Sequence, residues 1–218
     1  MAQPAPTSAE YESKLERLLE LSAQVFADQG YHATSIRDIS RLTGISLAGL
    51  YYYFQSKAEL LYLIQSRLLR SVLDGLRRGL EGVDEPHERL RVFVDNHVRF
   101  FAQRMAAMKV MTHEYDCLSG EYREKIRALR QEYTEACLTI LRDVRRVSGA
   151  GDAVVLRVAA FSLFGMMNWI YTWYRPDRDV PVDRLAEQLY RLFLGGFLGS
   201  GDVEVAAPRA GRHFRPDR

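Results

Sequence analysis

Apolar residues recur every three or four positions along most of the chain, and no stretch sustains a period of two. Between residues 10 and 29, Leu15, Leu18, Leu19, Val25 and Phe26 form one stripe, and Gly30 stops it. Thr34 or Ser35 then caps a short helix holding Ile36, Ile39 and Leu42, which Gly44 breaks. Ser46 caps the next helix, where Leu47, Leu50 and Phe54 supply a packing side. Ser56 caps a long helix from Lys57 to about Leu80, closed by Gly82. Pro86 opens a stripe of Leu90, Phe93, Val94, His97 and Phe101. A shorter helix spans about 107–118, and a long amphipathic one spans 120–147. After a loop at 148–152, an apolar helix runs to about Arg175, and Pro181 opens a last helix with Leu185, Leu189, Leu192 and Phe193.

The pattern predicts an all-α protein of about nine helices. A compact N-terminal unit occupies 10–57 and a larger bundle 58–198, between tails at 1–9 and 199–218 that read as disordered. The second tail carries Arg209, Arg212, Arg215 and Arg218, diluted by Asp202, Glu204 and Asp217.

Charge alters this picture little, since the net value is +2. The two cysteines, Cys117 and Cys137, have no C-x-x-C spacing, which argues against a zinc site or disulfide framework and for a reducing, cytoplasmic setting. The uncharged run 158–174 is at the short end for a membrane span, about 17 residues. Its polar Ser162, Asn168 and Thr172 favour a helix buried among others instead. No nucleophile elbow, Walker loop or H-E-x-x-H occurs; "GISLAG" at 44–49 has the wrong spacing for the first. The chain therefore reads as a non-enzyme without metal or cofactor.

The distinctive segment is "SIRDISRLTGISLAGLYYYFQSK", from Ser35 to Lys57. Two short helices about one glycine have the spacing of a helix-turn-helix. Ser46, Ala48 and Gly49 are small, which permits close approach to a duplex. Consecutive residues on a helix point about 100° apart, so Tyr51, Tyr52 and Tyr53 cannot all enter one core. An outward phenol suits a phosphate or a base edge.

The longer stretch "AQVFADQGYHATSIRDISRLTGISLAGLYYYFQSKAELL", residues 23–61, resembles the N-terminal domain of the TetR family of transcriptional regulators. The resemblance implies a homodimer on a double-stranded DNA operator, paired through its last two helices, with a ligand pocket in the C-terminal bundle. It implies phosphate contacts for Tyr51, Tyr53 and Lys57, base edges for Tyr52, a groove-facing Arg37, and capping residues Thr34 and Ser35 meeting phosphate.

"FGMMNWIYTWYRPD", residues 164–177, is similar to the corresponding stretch of TetR-family repressors that sense acyl-CoA thioesters. The expected effector is accordingly small and apolar, an acyl-CoA, with a lipophilic drug regulating an efflux gene as the alternative. The expected ligand set is Met105, Met111, His113, Tyr115, Met166, Asn168 and Trp169, with Arg99, Arg104, Lys109 and Arg175 available to phosphates. His97, on an apolar stripe, reads as a satisfied core histidine.

Overall fold

A computed structural model describes residues 8–151 and 154–199. Its elements are α1 (Ser8–Gln29), α2 (Ile36–Thr43), α3 (Leu47–Tyr51), α4 (Lys57–Leu80), α5 (Pro86–Ala102) and α6 (Met105–His113). A 3-10 turn (Tyr115–Cys117) leads to α7 (Gly120–Ser148), α8 (Leu156–Asn168), α9 (Ile170–Trp173) and α10 (Val182–Leu198). Trp169 alone separates α8 from α9, so the described residues form nine helical rods, as the periodicity predicts. The two expected tails lie outside the described residues except at 8, 9 and 199, and Ser8 and Ala9 already belong to α1.

The ends of the helices follow from local chemistry. Ser35, Ser46 and Ser56 each accept a backbone N–H from three residues on, at 3.1 Å, and so start α2, α3 and α4. Pro86 sits in the first turn of α5 behind the cap Glu85. Gly44 ends α2 at φ 72°, a left-handed conformation that a side chain would strain.

One continuous core runs through both halves, with Leu18, Phe26, Ile39, Leu50 and Phe54 at one end and Phe93, Phe101, Ile140 and Leu163 at the other. Helix α5 lies centrally, against α4, α7 and α10. It meets α4 closely because Gly75 has no side chain. A Cβ there would fall 2.6 Å from Asn96 Oδ1, and Asn96 uses the space to donate to Val72 O at 3.0 Å. On the other side of α5, Arg91 pairs with Glu187 and lies 4.4 Å over the Tyr190 ring, while Arg99 pairs with Asp183. These exposed pairs fix register more than they stabilise.

Two expectations change. Helix α8 is not buried all round: Val158 and Phe161 point outward, and only Ala159, Ala160, Leu163, Phe164 and Met167 enter the core. The helix predicted at 107–118 ends at His113, because Glu114 leaves helical geometry at φ −106°. Among the described residues no helix is long and apolar enough to cross a membrane.

Gln65 is fully buried on α4, one turn before Leu69, and neither amide atom has a hydrogen-bond partner. Unpaired buried amides destabilise by about 1–3 kcal/mol. Gln65→Met should therefore raise the melting temperature in calorimetry, by about 2–4 °C for each kcal/mol recovered in a protein of this size.

Candidate nucleic-acid interface and interior pocket

The turn between α2 and α3 is closed by its own side chains. Ser35 and Asp38 cap each other reciprocally, with Ser35 N donating to Asp38 Oδ2 at 3.0 Å. These bonds hold the Asp38 carboxyl below its ordinary pKa. Ser40 donates to Ile45 O at 2.7 Å, and Thr43 to Ile39 O at 2.7 Å. Ile39, Leu50 and Phe54 anchor the unit from beneath. The opposite face then carries Ser35, Arg37, Ser46, Leu47, Ala48, Tyr51 and Tyr52, all exposed. Arg41 is neutralised by Asp38 at 2.9 Å, whereas Arg37 has no ion-pair partner among the described residues.

The three tyrosines separate as helix geometry requires. Tyr51 is 48% exposed and Tyr52 62%, while Tyr53 is half-buried, its ring 5.1 Å from that of Tyr11 on α1. Tyr11, which the motif did not indicate, also meets Tyr52 edge-on at 5.8 Å and sets its direction.

Several expected contacts have other work. Lys57 Nζ donates to Tyr31 O at 2.9 Å and to Thr34 O at 2.8 Å, and lies 4.3 Å over the Tyr31 ring, so this cation holds the α1–α2 loop onto α4. Thr34 is buried and its hydroxyl donates to Gly30 O at 2.8 Å, which leaves the capping of α2 to Ser35. Gly49 is half-buried; a Cβ would come within 3.1 Å of Ile45 Cγ2, so its smallness serves the turn. Leu42 and Leu47 lie outward, not in the core: α2 buries Ile39 and the five-residue α3 only Leu50.

A cavity of about 230 Å³ lies inside the C-terminal bundle. Of the expected ligand set, Met111 and Asn168 line it. Met105 and Met166 are half-buried beside the core. His113 Nε2 lies 2.6 Å from Tyr171 Oη at the surface, Trp169 is exposed against Tyr171, and Tyr115 supports the guanidinium of Arg130 at 4.4 Å. Sequence reasoning missed the remaining walls, among them Leu69, Phe101, Arg130, Phe161 and Phe164. Arg130 had a signal: it is a cation on the face of α7 one turn after the buried Ile126. Four other clefts are larger, about 690, 590, 440 and 330 Å³; the first is lined by mixed charges on α4, α5 and α10, the second by apolar and charged residues of α1, α4 and the α5–α6 junction.

Of the expected phosphate cations, Arg99 is paired with Asp95 and Asp183, and Arg175 donates to Tyr174 O at 3.0 Å. Arg104 stacks on Phe100 at 4.4 Å, and none of the four lines the interior cavity.

His97 is buried as expected, but it also forms part of the cavity wall. Nδ1 lies 3.2 Å from Tyr133 Oη and Nε2 3.1 Å from Asn168 Oδ1, and burial pushes its pKa down to about 3.

Helix α6 joins the cavity to the helix-turn-helix unit. Met111 reaches the cavity, while Lys109 Nζ donates to Ala27 O in the last turn of α1 at 2.6 Å. Just beyond α6, Glu114 Oε1 accepts Tyr31 N–H at 3.3 Å, and Cys117 Sγ lies 3.2 Å from both Glu114 Oε2 and His32 Nε2. Burial and Glu114 push the Cys117 thiol up to about 11, which disfavours its thiolate.

Known proteins share both halves of this arrangement. Residues 18–62 match the family described as bacterial regulatory proteins, tetR family, and residues 83–197 match the tetracyclin repressor-like C-terminal domain. The chain belongs to the TetR family. Its members are DNA-binding transcriptional regulators, not enzymes.

Among relatives of this TetR-family chain, the HTH-type transcriptional activator FasR of Mycolicibacterium smegmatis is 26% identical, over 83% of this chain and 81% of its own. The HTH-type transcriptional repressor KstR2 of Rhodococcus jostii is 27% identical, over 88% and 95%. The crystal structure of AibR in complex with isovaleryl coenzyme A and operator DNA superposes with a TM-score of 0.72 at 26% identity, over 82% and 97%.

The state of His97 makes stability depend on pH. Below about pH 6.5 the unfolded chain binds a proton at His97 that the native protein refuses until about pH 3. Stability should thus fall as pH drops through this window, by up to about 1.4 kcal/mol per unit. Urea denaturation between pH 7 and 5 checks this; His97→Gln should flatten the slope.

Proposed function

We propose that this protein is a repressor that holds a palindromic operator as a homodimer and releases it when an acyl-CoA thioester enters the interior pocket. One observation carries the reading: α6 touches the pocket through Met111 and the DNA-binding unit through Lys109. The isovaleryl coenzyme A and operator DNA bound by AibR support the choice of ligand class.

On the DNA face, Tyr51, Ser35 and Ser46 meet phosphates, and Arg37, Ala48 and Tyr52 lie toward the groove. Tyr53, Lys57, Thr34 and Gly49 hold that face in shape. The dimer forms through α8 and α10, whose outward residues include Val158, Phe161 and Leu192, the last 69% exposed. Gly165, Gly195 and Gly196 lie in open space beside them and let two helix pairs approach. Leu189, one turn earlier on α10, is buried within the chain, so Leu192 is the residue that probes the interface. The two recognition helices then sit one DNA turn apart, roughly 34–36 Å.

An effector that displaces Met111 moves α6, and with it the end of α1 held by Lys109 and Glu114. Shifting a bound population from 99:1 to 1:99 requires the effector to prefer the released state by about 5.5 kcal/mol.

Three outcomes are expected. Fluorescence anisotropy with operator DNA should show release by isovaleryl-CoA and none by free CoA; release only by a neutral lipophilic drug would assign an efflux regulator instead. Tyr51→Phe should weaken all operator sequences alike, about fivefold for one lost hydrogen bond near 1 kcal/mol, while Tyr52→Ala should change sequence preference in a randomised-operator selection. Leu192→Glu should give monomers in light scattering and abolish operator binding.

A further inference from the structure

The interior pocket is apolar in its body and one-sided in its polarity. Leu69, Val72, Phe101, Met111 and Phe164 form the body, and half-exposed Phe161 its outer rim. At one wall, buried His97 is neutral, and a neutral imidazole has one donor and one acceptor. Nε2 donates to Asn168 Oδ1 at 3.1 Å, so Nδ1 accepts the Tyr133 O–H at 3.2 Å. This bond takes the Asn168 oxygen, and the Nδ2 amide of this pocket-lining residue has no protein acceptor among the described residues.

The second polar group is Arg130. Its guanidinium is largely withdrawn from water and has no carboxylate within ion-pair distance among the described residues. Asp116, whose charge acts on Arg130, is held by Arg123 at 3.0 Å, and the Arg130 guanidinium lies 4.4 Å over the Tyr115 ring. Thr134, beside it, donates its hydroxyl to Arg130 O at 2.8 Å. The wall therefore offers free N–H donors, and no acid lines it. A desolvated guanidinium without a counter-ion is unfavourable unless a bound group supplies one. The volume, about 230 Å³, equals roughly eight waters at about 30 Å³ each, so the pocket admits a group of about eight non-hydrogen atoms.

We propose that the pocket selects a short branched or aromatic acyl group, whose carboxyl or carbonyl oxygen is held jointly by Arg130 and Asn168 while its apolar end packs on Phe101, Phe161 and Phe164. This rests on the acyl-effector reading and narrows it. A long fatty chain exceeds the space, and the coenzyme A portion of a thioester stays outside. A free acid offers Arg130 a charged carboxylate and its thioester a neutral carbonyl oxygen; both accept N–H donors, and the first also supplies a counter-ion.

Calorimetry on the full-length protein tests this with isovalerate, benzoate, their CoA thioesters, palmitoyl-CoA and free CoA. Short acyl compounds should bind and palmitoyl-CoA should not. Tighter binding of the acid would identify the free carboxylate as effector, and tighter binding of the thioester the acyl-CoA; either supports the assignment. Arg130→Met should lose at least tenfold in affinity for short acyl compounds, with Arg130→Lys between it and the wild type. The melting temperature of Arg130→Met should hold or rise, because an unpaired desolvated charge is gone, and a purely structural arginine would lower it. Should Arg130→Met fail to fold, Arg130→Lys carries the affinity test, and undiminished affinity for short acyl compounds in it would overturn the assignment. Equal affinity in wild type and Arg130→Met would overturn it, as would binding of palmitoyl-CoA with the short compounds silent, an outcome that leaves the acyl-CoA reading standing. Silence of every acyl compound, with release by a neutral drug, would overturn both.

Discussion

The bond from Lys109 to the last turn of α1 is the contact on which the proposed response depends. A carbonyl at a helix C-terminus carries part of the negative end of the helix dipole, so an ammonium placed there is held by charge as well as by geometry. Ala27 O receives Lys109 Nζ at 2.6 Å, and four residues on, the Tyr31 amide finds Glu114. Helix α6 is thereby fixed to the DNA-binding unit at both ends of one loop. Its buried residues Met108, Val110 and Met111 pack into the apolar core, and His113 meets Tyr171 at the surface. A small displacement at the pocket has a short path to the recognition helix, because packed cores shift between discrete arrangements instead of deforming smoothly.

The interior around that path is not optimised for stability alone. Gln65 and Ser22 bury polar atoms without partners, His97 is held neutral, and Arg130 lacks a counter-ion. Such groups cluster where a protein keeps two states close in energy. The ends of α2 to α5, by contrast, agree at every level: capping serines, a left-handed glycine and a proline in the first turn each match the chain's path.

Much of the fold was legible in the sequence because its helices carry regular apolar stripes and explicit caps. The helix-turn-helix was legible for the same reason, together with its tyrosine run. The direction of individual side chains was less so. Lys57 carries the charge expected of a phosphate ligand, yet two loop carbonyls take it, and nothing local announces a partner 23 or 26 residues away. The pocket was the least legible part. Its walls come from α4, α5, α6, α7 and α8, and composition alone drew attention to methionines and tryptophans that mostly lie elsewhere. His97 and Arg130 were visible only as polar residues among apolar ones, and that signal does not distinguish a satisfied core group from a ligand contact.

Hydrogen exchange at single-residue resolution tests the coupling most directly. In the effector-free protein, the Tyr31 amide should be protected by Glu114. At saturating isovaleryl-CoA, its protection, and that of the last turn of α1, should fall together with operator affinity. Full release of the operator with the Tyr31 amide as protected as before would contradict transmission through α6.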